Sequence, residues 1–158
     1  MPVENQFEKV PLADLILKGV IPEINQPRPV VLVVDDEIVI ADTLTVILAK
    51  EGFVAITAYD GLTAFEIAKI IPPDLLLSDV VMPGLNGVEL AMAIRQIIPD
   101  CKVLLFSGQA ATVDLLAQAR AAGHNFTTIE KPVHPTELLV RISESLGIQQ
   151  ANQEKLSA

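Results

Sequence analysis

The sequence predicts an α/β fold: a five-stranded, doubly wound parallel sheet in the order 2-1-3-4-5, sandwiched between helices. Three observations carry this. Short apolar runs alternate five times with segments of helical spacing, the pattern of successive βα units. The clearest runs, Val30–Val34 and Leu75-Leu76-Leu77, are continuously apolar, as strands buried on both faces of a parallel sheet are. Polar residues then gather directly after the runs, at the carboxyl ends where such sheets place their chemistry. Right-handed crossovers and a chain of this size make 2-1-3-4-5 the ordinary solution.

The elements follow in order. Val30–Val34 is the first strand and ends in Asp35-Asp36-Glu37; Ile38–Glu51 is a helix closed by Gly52. Phe53–Ala58 is the second strand, with the turn Tyr59-Asp60-Gly61 leading into a helix over Leu62–Ile71 that Pro72-Pro73 stop. Asp74–Asp79 is the third strand. Pro83-Gly84 and Asn86-Gly87 give loop chemistry before a helix over Val88–Ile98, ended by Pro99. Lys102–Phe106 is the fourth strand, followed by Ser107-Gly108 and an alanine-rich helix over Ala111–Ala122 stopped by Gly123. Asn125–Ile129 is the fifth strand, ending in Glu130-Lys131-Pro132. Pro135 opens the last helix, which runs to Leu146 with Gly147 as its stop.

Residues 1–28 differ in character. Leu12, Leu15 and Ile16 have helical spacing between Pro11 and Gly19, and Pro22, Pro27 and Pro29 make an extended connector. A short amphipathic helix on a linker and a frayed terminus both fit, and the second is the more ordinary fate of a chain end. The chain thus divides into an extension (1–28), one domain (29–147) and a polar tail (148–158).

Composition narrows the function. Of 158 residues, 51% are hydrophobic, ample for one packed core. The net charge of −9 argues against direct contact with nucleic acid or an anionic membrane, which needs clustered Lys and Arg. No apolar run is long enough to span a bilayer, and Glu4, Glu8 and Asp14 do not suit a cleavable signal. The single cysteine, Cys101, fits a reducing, cytoplasmic setting and reads as a small core residue. His134 sits where it caps the last helix, and His124 follows a helix-ending glycine, so both read as structural.

In a parallel sheet the strand ends meet on one edge. That edge collects Asp35 and Asp36 from the first strand, Asp79 from the third, Ser107 from the fourth and Lys131 from the fifth. Asp79 alone could simply cap a turn; the other four strand-end residues favour chemistry. Three crowded carboxylates repel unless a cation sits among them, and hard divalent ions such as Mg2+ (or Mn2+) take oxygen ligands of this kind. Lys131 offers a compact positive charge and Ser107 a hydroxyl donor. Such a set suits an acyl-phosphate site: a carboxylate attacks phosphorus in line and needs no general base, because it is already ionised.

Here the sequence resembles the response-regulator receiver family, the CheY-like phosphoacceptor domains of flavodoxin-like topology. The resemblance runs from about Pro29 to Gly147. It rests on Val33-Val34-Asp35-Asp36-Glu37, on Asp79 followed by Met82-Pro83-Gly84-Leu85-Asn86-Gly87, on Ser107-Gly108 and on Lys131-Pro132. It implies that Asp79 is phosphorylated by a partner histidine kinase or phosphotransfer protein. It implies that Asp36, Asp79 and the backbone carbonyl of Val81 ligate Mg2+, with Asp35 acting through a bound water. Ser107 and Lys131 would hold phosphoryl oxygens, and the Lys131–Pro132 bond would be cis. The implied protein is a two-component signalling switch rather than a turnover enzyme, its output a protein contact.

Two departures qualify the resemblance. Thr128 stands where the family carries Tyr or Phe, three residues before the lysine; Phe126 lies five before it, so the aromatic switch is expected to be absent unless a bulge re-aims Phe126. Val81 and Gln109 occupy positions that, in the family it resembles, tune water attack on the acyl phosphate, and an apolar Val81 predicts slow decay, which Val81→Asn would hasten. The eleven residues after Gly147 leave no room for an output module, so a stand-alone receiver is expected. Pro11–Gly19 could then dock on the last helix, mediate a homodimer or bind the partner. A pseudo-receiver that signals by binding alone is the alternative, and a phosphohydrolase is disfavoured because Val80 and Val81 follow Asp79 instead of a second carboxylate.

Overall fold

The computed structural model describes residues 28–108 and 111–148, together with Pro11, Ala13 and Asp14. Five strands and five helices alternate: β1 (Val30–Val34), α1 (Ile38–Lys50), β2 (Val54–Ala58), α2 (Gly61–Ile70), β3 (Leu75–Asp79), α3 (Gly87–Ile97), β4 (Lys102–Ser107), α4 (Ala111–Ala121), β5 (Thr127–Glu130) and α5 (Pro135–Leu146). All pairings are parallel and the sheet order is β2-β1-β3-β4-β5, as the sequence predicts.

The continuous apolar runs do what parallel pairing requires, filling two cores at once. On one face Leu32, Leu76, Val103 and Leu105 meet Ala64 and Ala68 of α2, Ala91 and Ile94 of α3 and Ala119 of α4. On the other, Val31, Val33, Leu75, Leu77 and Leu104 meet Leu48 of α1 and Leu138 and Ile142 of α5. Small alanines on α2, α3 and α4 let those helices lie close to the sheet. Cys101 is a buried member of the first core, as its sequence setting suggests.

Boundaries shift by a residue or two from the sequence reading, and each shift has a local cause. Asp74 does not open β3; its carboxylate instead accepts the Val30 amide (2.7 Å), tying off the lower end of β1. Ser107 extends β4 because it pairs with Glu130. β5 begins at Thr127 rather than Asn125, since pairing with β4 starts at Leu104. Phe126 is spent on packing: His124 stacks on it at 5.5 Å and the Arg95 guanidinium lies 5.0 Å from its ring centre. His134 caps α5 through Nδ1, which accepts the Thr136 amide, with Pro135 following it in the first turn, and Gly147 ends the helix in the left-handed region at φ 68°. The expected helix around Leu12, Leu15 and Ile16, the connector through Pro27 and the tail from Gln149 lie outside the described residues.

Candidate functional site

β1 and β3 are neighbours in register, so their carboxyl ends deliver Asp35, Asp36 and Asp79 to one spot. One carboxylate oxygen from each lies within 4.8 Å of the others. The three environments differ. Asp35 is fully buried, Asp79 is half-buried and Asp36 faces solvent. Asp35 also shapes the start of α1, where its Oδ1 accepts the Glu37 amide at 2.9 Å.

Lys131 arrives from the end of β5 and bridges the group. Its Nζ is 3.3 Å from Asp35 Oδ2 and 3.3 Å from Asp79 Oδ2. The ammonium also lies 5.6 Å from the Phe106 ring centre. The backbone holds Lys131 in place, its amide donating to the Ser107 carbonyl at 3.1 Å, and the Lys131–Pro132 bond is cis. Ser107 is thereby fixed at the end of β4 beside Lys131, and a Cβ on Gly108 would come into van der Waals contact with the lysine stem.

The loop after Asp79 is anchored by glycine. Gly87 donates its amide to the Val80 carbonyl at 2.9 Å, and a Cβ there would collide with the Asp79 carbonyl oxygen. Only glycine lets α3 start this close to the end of β3. Asn86 then caps α3 with a capping box shared with Glu89.

The result is a cleft of roughly 570 Å³ lined by Asp36, Glu37, Asp79, Val81, Gly108, Lys131 and Pro132. Glu37, Gly108 and Pro132 entered the sequence reading as parts of the strand-end motifs and not as members of the site. Their signal was their adjacency to Asp36, Ser107 and Lys131. Gln109 lies outside the described residues, whereas Val81 is 42% exposed on the cleft wall.

Electrostatics follow from burial and crowding. Desolvation, with the Asp35 charge adding to it, pushes the Asp79 carboxyl above the ordinary aspartate value against the pull of Lys131. Burial draws the Lys131 ammonium down, but Asp79 and Asp35 together outweigh that and hold it above the ordinary lysine value. One lysine facing three carboxylates leaves the cluster short of positive charge. The all-oxygen donor set of Asp35, Asp36 and Asp79 is one that could hold a hard divalent cation.

β5 pairs with β4 without a bulge from Thr127 to Glu130, and Thr128 sits half-buried opposite Leu105, its carbonyl accepting from Arg141 at 3.3 Å. No bulge re-aims Phe126, so the position three before Lys131 carries a threonine and not a ring. Across the described residues no helix is long and apolar enough to cross a membrane.

Comparison with known proteins agrees with this geometry. The model of the response regulator receiver domain matches residues 31–143. The DNA-binding response regulator MtrA of Mycolicibacterium paratuberculosis is 31% identical over 119 residues, covering 75% of this chain and 52% of that protein. The probable transcriptional regulatory protein TcrX of Mycobacterium tuberculosis is 35% identical over 112 residues, covering 71% and 47%. The chain therefore spans about half the length of these curated relatives. Among solved structures, Vibrio cholerae chemotaxis protein CheY4 superposes with a TM-score of 0.66 at 27% identity, covering 75% of this chain and 99% of that one. A CheY-like receiver domain protein from Methanospirillum hungatei gives 0.67 at 30%, covering 77% and 95%. With the family model spanning most of the chain, and the acidic cluster and bridging lysine at the strand ends, the chain belongs to the response regulator receiver domain family.

Proposed function

We propose that this domain is a phosphoacceptor in two-component signalling, taking a phosphoryl group from a phosphohistidine partner onto Asp79. The observation that carries the reading is Lys131 bridging Asp35 and Asp79 while Asp36 lies within the same 4.8 Å group. An Asp79 oxygen forms the new O–P bond as the donor N–P bond breaks, and its electron pair returns to the donor nitrogen. Lys131 then exchanges its carboxylate contact for a phosphoryl oxygen, and Ser107 offers its hydroxyl to another. Asp36, Asp79 and the Val81 carbonyl would hold Mg2+ (or Mn2+), with Asp35 acting through water, and the ion would supply positive charge beside the transferring group. A histidine kinase or phosphotransfer protein is the upstream partner. A protein target reads the modified state downstream.

The test is intact-mass spectrometry after incubation with acetyl phosphate and Mg2+. One phosphoryl group is expected on the wild-type chain, and none on Asp79→Asn or in the absence of divalent cation. A wild-type chain left unmodified under conditions that load other receivers would sink the proposal in favour of signalling by binding alone.

A further inference from the structure

We infer that the segment Leu12–Ile16 docks on this same domain, on an apolar patch at the edge of the sheet opposite the acidic cleft. The patch consists of Ile70 and Ile71 at the end of α2 and Ile97 at the end of α3. Ile70 is 79% exposed, more than any other large apolar side chain among the described residues, and Ile71 and Ile97 are each 45% exposed. α2 and α3 pack side by side on one face of a parallel sheet, so both helices end at its amino-terminal edge. Exposed isoleucines at the ends of two packed helices bring apolar surface together at one edge, and apolar surface that is contiguous marks an interaction site.

The chain itself supplies the cover. It enters the sheet at this edge: the Val30 amide donates to Asp74 Oδ2 at 2.7 Å and the Asp74 amide donates to the Val30 carbonyl at 2.8 Å. Asp74 follows Ile71 by only three positions, so residues 1–28 leave the domain next to the patch. A linker from Ile16 to Arg28 spans about 20 Å even as a flexible coil. That exceeds the separation of about 10 Å between adjacent packed helices.

The segment has the matching chemistry. Leu12, Leu15 and Ile16 share one face at helical spacing. Ala13 and Asp14 are helical and exposed, with the Asp14 amide donating to the Pro11 carbonyl at 2.9 Å, and both fall on the other face. Docking would place three aliphatic side chains on three isoleucines and leave Asp14 in water. A helix this short does not persist alone in water, so protection of its amides reports docking.

Hydrogen exchange on the full-length chain reads this directly, with molecular mass measured by light scattering. Amides over residues 13–18 should exchange about tenfold or more slowly in the wild type than in Ile70→Asp or Leu15→Asp, with a monomer mass and no dependence on protein concentration. Leu15→Asp lies outside the sheet, so it carries the test alone should Ile70→Asp not fold. Equal exchange in the wild type and Leu15→Asp overturns the inference. Protection that rises with concentration alongside a doubled mass also overturns it, and assigns the patch to a second copy of the chain.

Discussion

At the scale of residues, identity was more legible than environment. Asp35, Asp36, Asp79, Ser107 and Lys131 could be placed at one edge from sequence because strand ends in a parallel sheet must converge. That Asp35 would be fully buried and Asp36 exposed could not, since burial depends on how α1 and Lys131 pack over the edge. Gly87 read as turn chemistry, yet its constraint is a steric one. A Cβ there would lie 2.9 Å from the Asp79 carbonyl carbon and 3.0 Å from the Val80 Cα. Gly87→Ala should therefore cost about 1–3 kcal/mol of stability, as overpacking does. Because the displaced atoms belong to Asp79, the proposed phosphoacceptor, and to its neighbour Val80, phosphoryl uptake from acetyl phosphate should slow as well; a normal urea midpoint with normal uptake would refute this. Cys101 gives a second residue-scale expectation. Burial pushes its thiol up to about 11, so on the order of a thousandth is thiolate at pH 8, against a substantial fraction in the unfolded chain. Iodoacetamide should label the native protein slowly at pH 8 and rapidly in urea, as followed by mass.

At the scale of elements, the type and order of every strand and helix from β1 to α5 could be read from periodicity and punctuation. The ends could not be fixed so closely. Proline and glycine signal that an element stops within a few residues, whereas the final residue is set by partners distant in sequence. β5 illustrates this: Asn125 and Phe126 look strand-like, but β4 offers pairing only from Leu104 onward, and Phe126 is already committed between His124 and Arg95. Helix starts were easier, because caps are local. Asn86 Oδ1 accepts the Glu89 amide at 2.9 Å, closing the first turn of α3 directly after the loop that follows β3. Asn86→Ala should lower stability by about 1 kcal/mol, readable as a shift in the urea midpoint at unchanged slope. Asp60 does the same for α2, accepting both the amide and hydroxyl of Thr63, which hold its carboxyl below the ordinary range. The missing aromatic at Thr128 was also an element-scale reading, since it needed the register of β5 and not the residue alone.

At the scale of the whole molecule, the fold and the site oppose one another. The sheet brings three carboxylates together against a single lysine, and burial with the Asp35 charge holds Asp79 above its ordinary value. An acid raised on folding favours its protonated form, so stability falls as pH rises from the ordinary aspartate value through the raised one. At neutral pH without divalent cation the ionised Asp79 therefore destabilises the fold, while Lys131 keeps Asp35 as a second partner. Asp79→Asn removes that charge and should melt higher than the wild type in the presence of a chelator. Adding Mg2+ should then raise the wild type by ligand linkage, about 2.7 kcal/mol at a hundredfold excess over the dissociation constant. The variant, with one proposed ligand lost, should gain little, so the gap between the two melting temperatures narrows or reverses. Parallel thermal melts in chelator and in Mg2+ decide the matter. A wild type that already melts above Asp79→Asn in chelator would mean that Lys131 neutralises Asp79 more fully than its burial opposes it, and that the cluster is a settled ion pair rather than a site short of a cation.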